Sequence, residues 1–206
     1  MRRIGWHVSL RALMVAFALT LTACTNNRNV ASSDLRLDAL TEREPDAQRQ
    51  RAMRRLQLAS VYFEQGQHEV AKQEVRAALE IDPAYAQSFN LLGLIHQRQN
   101  APELAQQSFD QALRLAAADG RAQWARVQHN YGWFLCERAQ FAQGQSALQQ
   151  ALAQPGYPEA VKSWLVLGDC QQRAGQLDQA QHSWRQAQAL EPHNPWIKQR
   201  LTQPEM

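Results

Sequence analysis

Three cysteines and six histidines give this 206-residue chain its widest chemical reach. Cys24 closes the run Leu21-Thr22-Ala23-Cys24 behind an apolar stretch from Ala12 to Ala23, where its thiol offers a sulfur for alkylation. Cys136 and Cys170 could close a disulfide in an oxidising compartment, or pack as small apolar side chains. His68, His96, His129, His182 and His193 are scattered, so a metal site would need several to converge through packing. A Walker loop, a His-Glu-x-x-His helix, a Gly-x-Ser-x-Gly elbow and a Cys-x-x-Cys pair are all missing from the sequence. The residues therefore predict no enzyme, no metal, no cofactor and no small-molecule substrate.

What would position these side chains is a recurring helix pair. In a 34-residue frame starting at Ala52, the chain carries Leu58, Ala59, Tyr62, Gly66, Ala71, Val75, Ala78 and Pro83. Its last copy carries Trp164, Leu167, Gly168, Gly175, Ala180, Trp184, Ala187 and Pro192, with residues at the matching places. Two copies lie between. One holds Phe89, Leu92, Gly93, Ala105, Phe109 and Ala112, with Ala117 where proline is expected; the other holds Tyr131, Gly132, Leu148 and Ala151, with Gly144 in place of the usual alanine. Large residues facing small ones let two helices approach closely, and a closing proline ends the second. This pattern resembles the tetratricopeptide repeat. The resemblance implies an all-α superhelix of about four helix-turn-helix repeats, at 52–85, 86–119, 125–158 and 161–194, in a domain spanning 46–206. Pro195 opens a segment read as a capping helix over 195–206. The insertion around Gly120 to Trp124 should lengthen the helices on either side of it. Cys136 and Cys170 fall at the twelfth and tenth places of adjacent frames, which favours apolar packing over a bond, since different places need not bring the Cα atoms within range.

The first 23 residues read as a leader rather than as fold. Arg2, Arg3 and Arg11 accompany an apolar run too short to span a bilayer comfortably. Leu21-Thr22-Ala23-Cys24 resembles the lipobox of bacterial lipoproteins, which implies a covalent lipid on Cys24 and, with Thr25 following, an outer-membrane address. Three acyl chains would anchor the protein firmly. Residues 24–45 then form the lipidated end and a polar tether, with Leu35, Leu37 and Leu40 able to start a short helix. A flexible tether of about 20 residues reaches roughly 25 Å. The whole chain holds 22 Lys and Arg against 19 Asp and Glu, and the leader takes three arginines and no acids, so the remainder is formally neutral. A nucleic-acid partner would need a basic footprint that this chain lacks.

In tetratricopeptide domains the concave face is lined by first-helix places two, five, nine, twelve and thirteen. Carried over to repeats three and four, these places give Arg126, His129, Trp133, Cys136 and Glu137, then Lys162, Leu165, Asp169, Gln172 and Arg173; across the array the partner-binding groove is assigned to Met53, Leu56, Phe63, Asn90, Leu94, His129 and Trp133. Repeats that grip a C-terminal carboxylate need a cation and an asparagine at places five and nine of the first repeat, where this chain has Leu56 and Ser60. The groove is therefore expected to hold an apolar segment of a protein partner. Cover by the tether or by a neighbouring repeat stays open for Met53 and Leu56.

The segment Asn130-Tyr131-Gly132-Trp133-Phe134-Leu135-Cys136 resembles the Asn-Tyr-Gly-x-Phe-Leu segment of the type IV pilus biogenesis and stability lipoproteins of the PilF/PilW family. Those proteins commonly have about six repeats, against four here. The resemblance implies an outer-membrane scaffold facing the periplasm that assists localisation or assembly of the pilus secretin. The alternative is a general periplasmic adaptor that recruits cell-envelope enzymes.

Overall fold

Alanines and larger apolar residues spaced at i, i+4 and i+7 give each second helix one buried stripe, as with Ala71, Val75 and Ala78. Paired with a preceding helix, such stripes build the four repeats. The structure, a computed structural model, describes residues 30–202. They form nine helices: α1 (Val30–Glu64), α2 (His68–Ile81), α3 (Ala86–Arg98), α4 (Pro102–Asp119), α5 (Arg121–Glu137), α6 (Phe141–Leu152), α7 (Ala160–Arg173), α8 (Leu177–Leu190) and α9 (Pro195–Thr202). No strand occurs among the described residues. The chain divides into two compact units, residues 1–47 and 48–206. In the first, residues 30–45, expected as a tether able to begin a helix, are the leading part of α1. The second unit stacks the helix pairs, and Cys24 lies outside the described residues.

Within each pair one residue of the first helix meets one of the second sixteen positions later, and their sizes compensate. A Cβ added at Gly93 would lie 2.8 Å from the Phe109 ring, and one at Gly132 would lie 2.7 Å from Leu148 Cγ. At Gly168 it would collide with the Trp184 indole. In the first pair the knob is only Val75, and Ala59 suffices opposite it, both fully buried in one cluster. Interiors packed to crystal density do not accept a methyl group in such a gap without displacement.

All four pairs turn in the same way. Gly66, Asn100, Ala139 and Gly175 take φ of 75, 54, 58 and 77°. The next residue's N–H then reaches back to a carbonyl five positions earlier, in Gln67→Tyr62, Ala101→His96, Gln140→Leu135 and Gln176→Gln171, at 2.8 to 2.9 Å. These are Schellman caps, which satisfy carbonyls left over at the helix end. The inserted residues lengthen α4 and α5 to 18 and 17 residues, with Gly120 alone at the joint between them. Where Ala117 replaces proline, α4 continues past it.

Cys136 and Cys170 form a disulfide with Cα atoms 5.5 Å apart, so apolar packing was the wrong expectation. The reason is an offset between neighbouring first helices. His129 at place five meets Ser163 at place three, and Cys136 at place twelve meets Cys170 at place ten. At these two contacts repeats three and four touch two places out of step, so unlike places meet. The bridge also explains Gly144: a Cβ there would run into the Cys136 sulfur and lie 2.9 Å from the Gly132 carbonyl oxygen.

Candidate functional site: a cleft along the first helices

The first helices of repeats three and four, with α9, enclose a cleft of about 530 Å³. Trp133 of α5, Val166 of α7 and Trp196 of α9 line it, and the Cys136–Cys170 bridge contributes to it. The half-buried Trp133 carries the Arg98 guanidinium 5.3 Å above its ring. Helix α9 is held there by Ile197, fully buried, and by Arg200, whose two nitrogens reach the Asp169 carboxylate at 2.6 and 2.8 Å. The Trp184 indole N–H donates to the same carboxylate at 3.0 Å. Arg173 pairs with Glu137 at 2.7 Å across the floor. The ionic groups of the wall thus pair with one another, leaving the indoles of Trp133 and Trp196, the Val166 side chain and the neutral amides of Gln172 and Gln199 to meet a ligand.

The residues expected in the groove divide by their place in the frame. Leu56, Asn90 and His129 all occupy place five, and they are only 7, 7 and 8 % exposed. That burial removes them from the groove surface expected from the sequence. Place five turns toward the neighbouring repeats, and for His129 this follows the offset that joins the cysteines. Leu56 packs into the first core cluster beside Ala52, Val75 and Tyr85. Asn90 accepts a 3.1 Å hydrogen bond from the Asn130 amide, and His129 Nδ1 shares one of 2.8 Å with Ser163 Oγ. Burial pushes the His129 pKa down to about 4, with Glu159 opposing and Lys162 reinforcing the shift. Arg126, one helical turn before His129, pairs with Glu159 at 3.1 Å. These contacts stitch the repeats together.

Met53 is exposed on α1, Phe63 packs at the edge of the first cluster against the His68 ring, and Leu94 sits half-buried between the first and third clusters. Of the seven assigned groove residues Trp133 alone lines the cleft, joined there by Cys136, Glu137, Asp169, Gln172 and Arg173 from the concave places of repeats three and four. Sequence reasoning missed Val166 and Trp196. The aromatic side chain just after Pro195 was the available signal for the latter. Among the described residues no group of three His, Cys, Asp or Glu is arranged to hold a metal.

Stacked helix pairs, Schellman turns at a fixed place and a cleft along the first helices define a tetratricopeptide-repeat protein. Tetratricopeptide-repeat family models match residues 59–100, 86–119 and 136–195. The type IV pilus assembly protein PilF of Pseudomonas aeruginosa is 32% identical over 157 residues, covering 76% of this chain and 57% of the relative. The crystal structure of PilW, described as a widely conserved type IV pilus biogenesis factor, superposes with a TM-score of 0.68 at 30% identity, over 76% of this chain and 70% of that one. A structure of Pseudomonas aeruginosa PilF gives 0.67 at 28% identity, over 76% and 67%. The chain belongs to the PilF/PilW-like tetratricopeptide-repeat proteins. It spans a little over half the length of the curated PilF relative.

Proposed function

We propose that this protein is a non-catalytic, lipid-anchored scaffold of the outer membrane that holds a protein partner, the pilus secretin, during type IV pilus biogenesis. Membership of the PilF/PilW-like family carries the reading. The internally neutralised, indole-lined cleft supports it, because it suits an apolar protein segment better than a charged ligand. The Leu21-Thr22-Ala23-Cys24 run supports lipidation at Cys24, on the periplasmic side of the outer membrane. In this reading the lipid fixes where the repeats work, and the repeats fix what is held there.

Loss of the anchor should therefore mimic loss of the protein. A deletion strain is expected to contain fewer heat-stable secretin multimers and fewer surface pili. Cys24→Ser should abolish palmitate labelling and fail to restore secretin placement even when the variant is abundant. Normal multimers and pili in the deletion strain would eliminate the secretin reading and favour an adaptor for other envelope proteins.

A further inference from the structure

The four first helices carry one stripe whose treatment differs in the first repeat alone. Its third, seventh and tenth places are Ser88, Leu92 and Ile95 in α3, Val127, Tyr131 and Phe134 in α5, and Ser163, Leu167 and Cys170 in α7. None of these nine is exposed. Each set faces the second helix of the preceding repeat, with Ile95 sharing a cluster with Val75, Phe134 with Phe109, and Leu167 with Leu148. In α1 the same places are Arg54, Leu58 and Val61, and one turn earlier stands Arg51. Leu58 is 39 % and Val61 47 % exposed. Spaced by three and four residues, Arg51, Arg54, Leu58 and Val61 form one face of the helix. Arg55 beside them pairs with Glu74, whereas Arg51 and Arg54 make no ion pair among the described residues.

We infer that this end face of α1 is a second docking site, separate from the cleft, and that it takes an amphipathic helix of another protein with acidic residues near its C-terminal end. The array itself specifies the occupant. Second helices that cover the stripe elsewhere present a small, a large and a small residue at i, i+4 and i+7: Ala71, Val75 and Ala78; Ala105, Phe109 and Ala112; Gly144, Leu148 and Ala151. Short connections make each of them antiparallel to the helix it covers, so its C-terminal end lies beside the start of the next first helix. On α1 that start carries Arg51 and Arg54. Carboxylates in the last turn of the incoming helix, together with its unpaired terminal carbonyls, would meet the two guanidinium groups.

The probe is a synthetic helix of about 15 residues, the shortest length at which an isolated helix is tenable. It carries Ala, Leu and Ala at i, i+4 and i+7 and glutamates in its last turn; a control has lysines in place of the glutamates. Fluorescence anisotropy should show the glutamate peptide binding the full chain and the lysine peptide binding at least roughly tenfold more weakly. Val61→Asp should weaken the glutamate peptide by about tenfold or more, and the Arg51→Glu/Arg54→Glu pair by several-fold, with unchanged helical circular dichroism. Trp133→Ala should leave it unaffected, which separates this face from the cleft. Equal binding of the two peptides, indifference to Val61→Asp, or self-association of the chain through this face in sedimentation would overturn the inference.

Discussion

His129 sits in a nearly dry seam between α5 and α7, where charging its ring is unfavourable. Its folded pKa of about 4 lies below the 6.5 of an unperturbed histidine. Between these values the unfolded chain binds the proton that the folded chain refuses, so stability is complete above about pH 6.5 and falls as pH drops toward 4. A displacement of that size corresponds to roughly 3 kcal/mol of stability at neutral pH. Burial lowers the His96 pKa as well, adding a loss of the same sign. Thermal melts across this range should show Tm falling with pH, and His129→Asn, which keeps a polar group toward Ser163, should flatten the fall. An equally steep fall in the variant would mean that other groups carry it. The burial behind this behaviour was not legible in the sequence. Place five reads as groove surface on an isolated first helix; only the stacking of neighbouring repeats turns Leu56, Asn90 and His129 into the seam.

Helix pairs were legible because their packing rule is local. Gly93 against Phe109, Gly132 against Leu148 and Gly168 against Trp184 are sixteen residues apart within one repeat, and the sequence alone couples a missing side chain to a large one. The bridge between Cys136 and Cys170 joins two repeats, so its geometry depends on how helices stack, which no single frame contains. Its 34-residue separation stabilises the array by roughly 3 to 4 kcal/mol through the chain entropy it removes from the unfolded state. Gly144 was visible as an odd residue in the pattern, yet its meaning required the sulfur beside it. The turns offer a test at this scale. Ala139 holds a left-handed φ of 58° where Gly66 and Gly175 stand in the first and last repeats. A Cβ in that conformation costs about 1 kcal/mol or more, so Ala139→Gly should raise the unfolding free energy by about 1 kcal/mol and move the denaturation midpoint up with it. An unchanged or lower midpoint would mean that the turn between α5 and α6 is relaxed.

Across the whole second unit, repeats one and two pack about apolar clusters, whereas repeats three and four also share a disulfide and leave a cleft closed by α9. Cleft and end face lie on different helices, so the two proposed sites do not compete for the same surface. The sequence made the repeat class and the family resemblance legible, because both rest on residues close together in the chain. Its concave places gave Trp133, Cys136, Glu137, Asp169, Gln172 and Arg173 on α5 and α7, but not the wall that α9 adds by stacking. The central claim is that this cleft grips an apolar segment of the pilus secretin. Its most direct test is a titration of the purified protein, with Trp133 intact or replaced by alanine, against the secretin of the same organism at low and high salt. Binding should persist at high salt, and Trp133→Ala should weaken it by on the order of 2 kcal/mol, about thirtyfold, while the variant stays helical. Undiminished binding by Trp133→Ala, together with loss of binding at high salt, would contradict the account and move the contact to a charged surface.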